Sequence, residues 1–71
     1  MHPLPAKKLI KILKKHGFEL TRQRGNHQIL YNSQTGATVP VPIHGGNRPI
    51  NVGTFMAIVN QSKLPRKVFS D

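Results

Sequence analysis

The stretch PAKKLIKILKKHGFELTRQRGNHQILY, residues 5–31, changes its period once, and that change decides the fold. Pro5 suits the first turn of a helix and Gly17 suits the left-handed residue just past its end. Between them, at about 100° per residue, Ala6, Leu9, Ile10, Ile12 and Leu13 fill one continuous arc. Lys7, Lys8, Lys11, Lys14 and Lys15 fill a separate arc on the opposite side, with no apolar residue among them. After Gly17 the period becomes two. Phe18 and Leu20 alternate with Glu19, Thr21 and Gln23, which reads as a first strand. Arg24-Gly25-Asn26 is a turn signal, and His27-Gln28-Ile29-Leu30-Tyr31 reads as a second strand.

Working outward, Asn32-Ser33-Gln34-Thr35-Gly36 is another turn, leading to a third strand at 37–41. Pro40 and Pro42 share a parity, so both missing N–H groups fall on the same side of that strand. A ladder tolerates this only along an open edge, which places the third strand at the side of the sheet. His44-Gly45-Gly46-Asn47-Arg48-Pro49 reads as a loop, and Asn51 as the N-cap of a second helix running to about residue 62. Val52, Phe55, Met56, Ile58 and Val59 form the arc of that helix facing the sheet. Residues 64–69 add a short terminal turn, with Phe69 closing the edge of the core. The expected class is α+β, in the order α-β-β-β-α, with two helices on one face of a three-stranded antiparallel sheet. A chain of 71 residues makes a single domain, residues 1–71, with room for one two-layer core.

Eleven Lys and Arg stand against Glu19 and Asp71, a formal net charge of +9. A field of this sign attracts phosphate, in nucleic acid or on an anionic membrane surface. Seven of the eleven basic residues lie within the first 24 positions. Five lysines on one helix face with no acidic partner at i+4 leave their mutual repulsion unopposed. Membrane-surface binding is disfavoured, because the basic helix has no Trp and turns its apolar arc into the domain. No apolar run approaches the ~20 residues a membrane span needs, and there is no cysteine. The reading is a soluble cytoplasmic protein.

Most catalytic chemistries fail on residue supply. With no Cys, two acids and four scattered His, no spacing matches a zinc site, so no metal and no cofactor is expected. The same shortage removes nucleophile–His–acid triads and paired carboxylates. Histidine chemistry beside cations survives, and RNA suits it. Each RNA phosphodiester has its own nucleophile in the adjacent 2′-OH. A histidine, which titrates near ~6.5, can take that proton or supply one to the leaving oxygen. Arg22, Arg24 and the lysine face, chiefly Lys7, Lys8, Lys11 and Lys15, are candidates to hold RNA phosphates. His27 opens the second strand directly after the turn, at the rim of the sheet. His16 ends the first helix, where a cation interacts favourably with the helix dipole. His44 and Arg48, in the 44–49 loop, are secondary candidates. A non-catalytic RNA-binding module using the same cationic face is the alternative.

The run Phe18-Glu19-Leu20-Thr21-Arg22-Gln23-Arg24-Gly25-Asn26-His27 resembles the "GF…RQKGSH" segment of HicA-type toxins. Thr38-Val39-Pro40-Val41-Pro42-Ile43-His44 is similar to their third strand and the "VPxH" stretch after it. Val52-Gly53-Thr54-Phe55-Met56-Ala57-Ile58-Val59 is similar to their "xGTLxxIL" helix start. The resemblance implies a double-stranded-RNA-binding-domain-like fold, metal-independent endonucleolytic cleavage of messenger RNA, and a HicB-type antitoxin that covers the active site. It matches His27 to the family's catalytic histidine, with Gly25 and Asn26 as the active-site turn. Asn26 replaces the usual Ser, Gln28 stands where a second His often follows, and Lys63 replaces the glycine that commonly ends the second helix.

Overall fold

The computed structural model of the chain describes residues 2–43 and 47–70. Helix α1 (Ala6–Lys15) is followed by strands β1 (Phe18–Arg24), β2 (His27–Asn32) and β3 (Thr38–Pro42), then helix α2 (Val52–Ser62) and a 3-10 turn (Arg66–Phe69). This is the α-β-β-β-α order of a double-stranded-RNA-binding-domain-like fold. The sheet is antiparallel in the order β1-β2-β3, so β3 is an edge, as its two prolines require.

Both helices lie on one sheet face. Leu9 and Leu13 of α1, Phe18, Leu30, Val39 and Val41 of the sheet, and Phe55, Ile58 and Val59 of α2 are almost fully enclosed. Burial of side chains this size stabilises a fold by roughly 1.5–3 kcal/mol each. Phe69, from the 3-10 turn, completes the core edge-on to Phe55, with ring centroids 6.3 Å apart at 85°. Two apolar residues depart from their expected places. Leu20 is 44% exposed and Val52, in the first turn of α2, is 59% exposed.

The ends of the elements follow local chemistry. Pro5 is the N-cap of α1, and Gly17 leaves the helix at φ 98°. Lys14 and Lys15 fall in the last turn of α1, where cations complement the dipole. Asn32 is the main buried polar tie. Its Nδ2 donates to the His16 carbonyl (3.2 Å), and its Oδ1 accepts from the Gln34 N–H (2.9 Å), joining the end of α1 to the β2–β3 turn. Asn51 caps α2 by accepting from the Gly53 N–H at 2.9 Å.

Lys63 ends α2 at φ 61°, the left-handed region where a side chain is strained. Its Nζ reaches the Thr35 carbonyl at 3.3 Å, an exposed contact that offsets little of this. Lys63→Gly is therefore expected to stabilise the domain by up to about 1 kcal/mol. A thermal melt showing a rise of a few degrees would bear this out; a fall would show that the lysine contact outweighs the strain.

The strand alternation breaks once. Leu20 pairs with Leu30 and Arg22 with Ile29, so Thr21 is the extra residue of a β-bulge. Its hydroxyl donates to the Ile29 carbonyl at 3.0 Å across the irregularity. Phe18 and Leu20 lie on the helix side, opposite Asn32 and Leu30. Beyond the bulge, Arg22 and Arg24 lie on the other side, opposite Ile29 and His27. Simple alternation puts the two arginines on the same face as Phe18. The bulge turns them to the open face.

Candidate active site and cationic surfaces

The β1–β2 hairpin closes through a two-residue loop. Arg24 pairs with His27, and Gly25 has φ 58° while Asn26 does not take a positive φ. Glycine first with φ positive only there is the type II′ pattern, whose twist matches that of the strands it joins. The Gln23 side-chain amide donates to the Gly25 carbonyl at 3.2 Å. The Asn26 carbonyl accepts from the Ile43 N–H at 2.7 Å, tying the tip of the hairpin to the chain leaving β3.

His27 is thereby fixed at the rim of the central strand. Its neighbours across the sheet are Arg24 and Pro42. Leu30 faces the helices, so His27, Ile29 and Tyr31 face away from them. His27 is exposed, and the residue lines an open recess of about 360 Å³ with Pro42, Arg48, Pro49, Ile50, Asn51 and Thr54.

Two long-range contacts build the far wall of this recess. A single antiparallel bridge pairs Pro5 with Pro49, and the Ile50 N–H donates to the Leu4 carbonyl at 2.9 Å. They hold the segment carrying Arg48 against the entry to α1. The first turn of α2 contributes Asn51 and Thr54 and contains no acidic residue, so its positive dipole end is unopposed. The site thus combines an exposed imidazole, a guanidinium and a helix N-terminus around one concavity. Such a set can hold a phosphodiester and move a proton beside it.

The structure brings some of the sequence candidates together and separates others. His27, Arg48, Arg24 and the Gly25-Asn26 turn gather at one end of the sheet, and Arg22 follows Arg24 along the same open face. Lys7, Lys8, Lys11 and Lys14 border a shallow groove with Ile10 on the outer side of α1, a different surface. Lys7 also lines a second recess with Gln28, Ile43 and Asn47, so Gln28 faces the α1 side while its neighbour His27 does not. Lys15 is exposed at the far end of α1, and His16 is its exposed C-cap. His44 lies outside the described residues. Asn51 enters the site as a lining residue beyond its expected capping role, and Thr54 enters it through the same helix start. Among the described residues, no group of three or more His, Cys, Asp or Glu could hold a metal ion. None of their helices is long and apolar enough to cross a membrane.

A search of curated proteins gives no match for the chain. A family model described as the HicA toxin of bacterial toxin–antitoxin systems matches residues 6–64, from the first residue of α1 to just past the end of α2. That span carries the hairpin turn, His27, Arg48 and the start of α2, and the chain belongs to the HicA toxin family.

Proposed function

We propose that this toxin is an endoribonuclease that cleaves messenger RNA in the cytoplasm without a metal, with His27 as its catalytic residue. The observation that carries the reading is the shared recess. His27 and Arg48 line one concavity at the unopposed N-terminus of α2. In the reaction the 2′-OH attacks the adjacent phosphorus as its proton leaves, and the bond from phosphorus to the 5′-oxygen breaks as that oxygen gains a proton. The products are a 2′,3′-cyclic phosphate and a 5′-OH end. His27 acts in one or both proton transfers. Arg48, Arg24 and the helix terminus stabilise charge on the crowded phosphorus. Family membership implies an antitoxin partner. In this reading it is a HicB-type protein whose acidic surface or segment occludes His27 and meets the basic surface, so association is fast and salt-sensitive.

The test is incubation of the purified protein with end-labelled RNA in excess chelator. Fragments bearing cyclic phosphate and 5′-OH ends are expected. RNA that is bound but stays intact would replace the nuclease with a non-catalytic RNA-binding module.

The lysine face of α1 makes a separate prediction. Each phosphate contact contributes roughly 0.7 to the slope of log affinity against log salt for single strands. Replacing Lys8, Lys11 and Lys15 together by Glu should weaken RNA binding broadly and flatten that slope. All three side chains are exposed, so the thermal midpoint should move little. An unchanged slope would assign these lysines to solubility alone.

A further inference from the structure

The sheet face turned away from the helices has a composition that the catalytic recess does not account for. The register sets its side chains in three rows. Arg24, His27 and Pro42 form the row at the hairpin end, Arg22, Ile29 and Pro40 the next, and Glu19, Tyr31 and Thr38 the last. Tyr31 is 39% exposed and Ile29 is half-buried, on a face that neither helix of the described residues covers. The prolines sharpen the surface. A residue that cannot donate to the ladder presents its flat ring beside its cross-strand neighbour, here His27 and Ile29. Charge is graded along the face, with both arginines beside the His27 end and the acid beside Tyr31. The bulge at Thr21 creates this arrangement, since without it Arg22 and Arg24 lie on the helix side.

We infer that this open face is the track for the single-stranded RNA that His27 cleaves, and that Tyr31 is a stacking platform for a base of that strand. The inference rests on the ribonuclease reading and adds the conformation of the substrate and where it lies. Tyr31 stands four residues along β2 from His27, about 13 Å at the rise of a strand, a span of a few nucleotides. A single strand laid along β2 sets its phosphates against Arg24 and Arg22 and its reacting linkage at His27. A base beyond them meets the phenol ring, where neighbouring Glu19 favours base over phosphate. Bases offer a π-face to an aromatic side chain only when they are unpaired, which selects a single strand over a duplex. The face carries Arg22 and Arg24 against Glu19, a positive balance that favours this polyanionic occupant over a basic partner.

The chain contains one Tyr and no Trp, so its intrinsic near-ultraviolet emission belongs to Tyr31. The probe is a single-stranded 2′-O-methyl RNA decamer, which lacks the nucleophile and stays intact. A blunt duplex of the same sequence and inorganic polyphosphate serve as comparisons. The decamer should quench the emission of the intact protein as it binds, and polyphosphate should bind with the emission unchanged. Tyr31→Ala should weaken decamer binding roughly 5- to 150-fold, and Tyr31→Phe should recover most of the loss. The same ordering should appear in KM for cleavable RNA, with kcat nearly unchanged.

Binding of the decamer without quenching, together with wild-type affinity in Tyr31→Ala, would overturn the proposal even if the protein cleaves RNA. Quenching and the Tyr31 dependence in a protein that cleaves nothing would leave the track standing and remove the nuclease. Equal quenching by the duplex would overturn single-strand selection. A face that binds no oligonucleotide and gains hydrogen-exchange protection only with the antitoxin would belong to the protein partner.

Discussion

His27→Ala is expected to lower the rate of RNA cleavage by roughly 10²–10⁴-fold, the usual cost of removing a general acid or base. The structure separates this loss from a folding defect. The His27 imidazole is exposed at the sheet rim, so its truncation opens no cavity and should change stability by no more than about 0.5 kcal/mol. Affinity for RNA should stay close to that of the wild type, because Arg22, Arg24, Arg48 and the lysine groove are untouched. Toxicity on expression in bacteria should fall with cleavage, while His44→Ala should reduce activity modestly at most. The deciding measurement is specific activity per folded molecule in chelator. A folded His27→Ala protein that cuts RNA at the wild-type rate would end the catalytic assignment.

The parts of this fold that sequence reveals are those whose causes are local. Pro5 and Gly17 delimit α1, and the shared parity of Pro40 and Pro42 puts β3 at an edge, each through the backbone of the residue itself, while Asn51 starts α2 through its own side chain. The site is less legible because its causes are distant or irregular. The position of Arg48 depends on Pro49 bridging to Pro5 and on Ile50 bonding to Leu4, contacts between segments more than forty residues apart. The face of Arg22 and Arg24 depends on one inserted residue, Thr21, in a strand whose first residues alternate regularly. Period-two reading carries no register information past such an insertion. The strand residues also show that His27 shares a face with Ile29 and Tyr31, but not which face. That follows only once Leu30 is seen beneath the helices. Exposure of Leu20 and Val52 has the same origin, since an apolar arc fixes the side of an element and not how far its neighbour extends over it.

A large loss of stability from a single side chain is expected at Phe69→Ala. Phe69 lies in the 3-10 turn, beyond residues 6–64 matched by the family, yet it is only 1% exposed and packs edge-on against Phe55. The turn also packs against α1, so it bridges the two helices from the side. Truncating a buried phenylalanine typically costs about 3–5 kcal/mol through lost transfer energy and the cavity left behind. At roughly 0.05–0.15 kcal/mol per residue, a domain this size has only about 4–11 kcal/mol in all. The variant should therefore melt more than 10 °C below the wild type, and a measurable fraction should be unfolded at 37 °C. Phe69→Leu, which leaves most of the volume filled, should lose clearly less. Per folded molecule both variants should cleave RNA at the wild-type rate, because Phe69 lines neither the recess nor the open face. That pattern is the reverse of the one expected for His27→Ala. A Phe69→Ala protein with an unchanged melting temperature would place the stabilising core wholly within residues 6–64 and make the last turn an accessory.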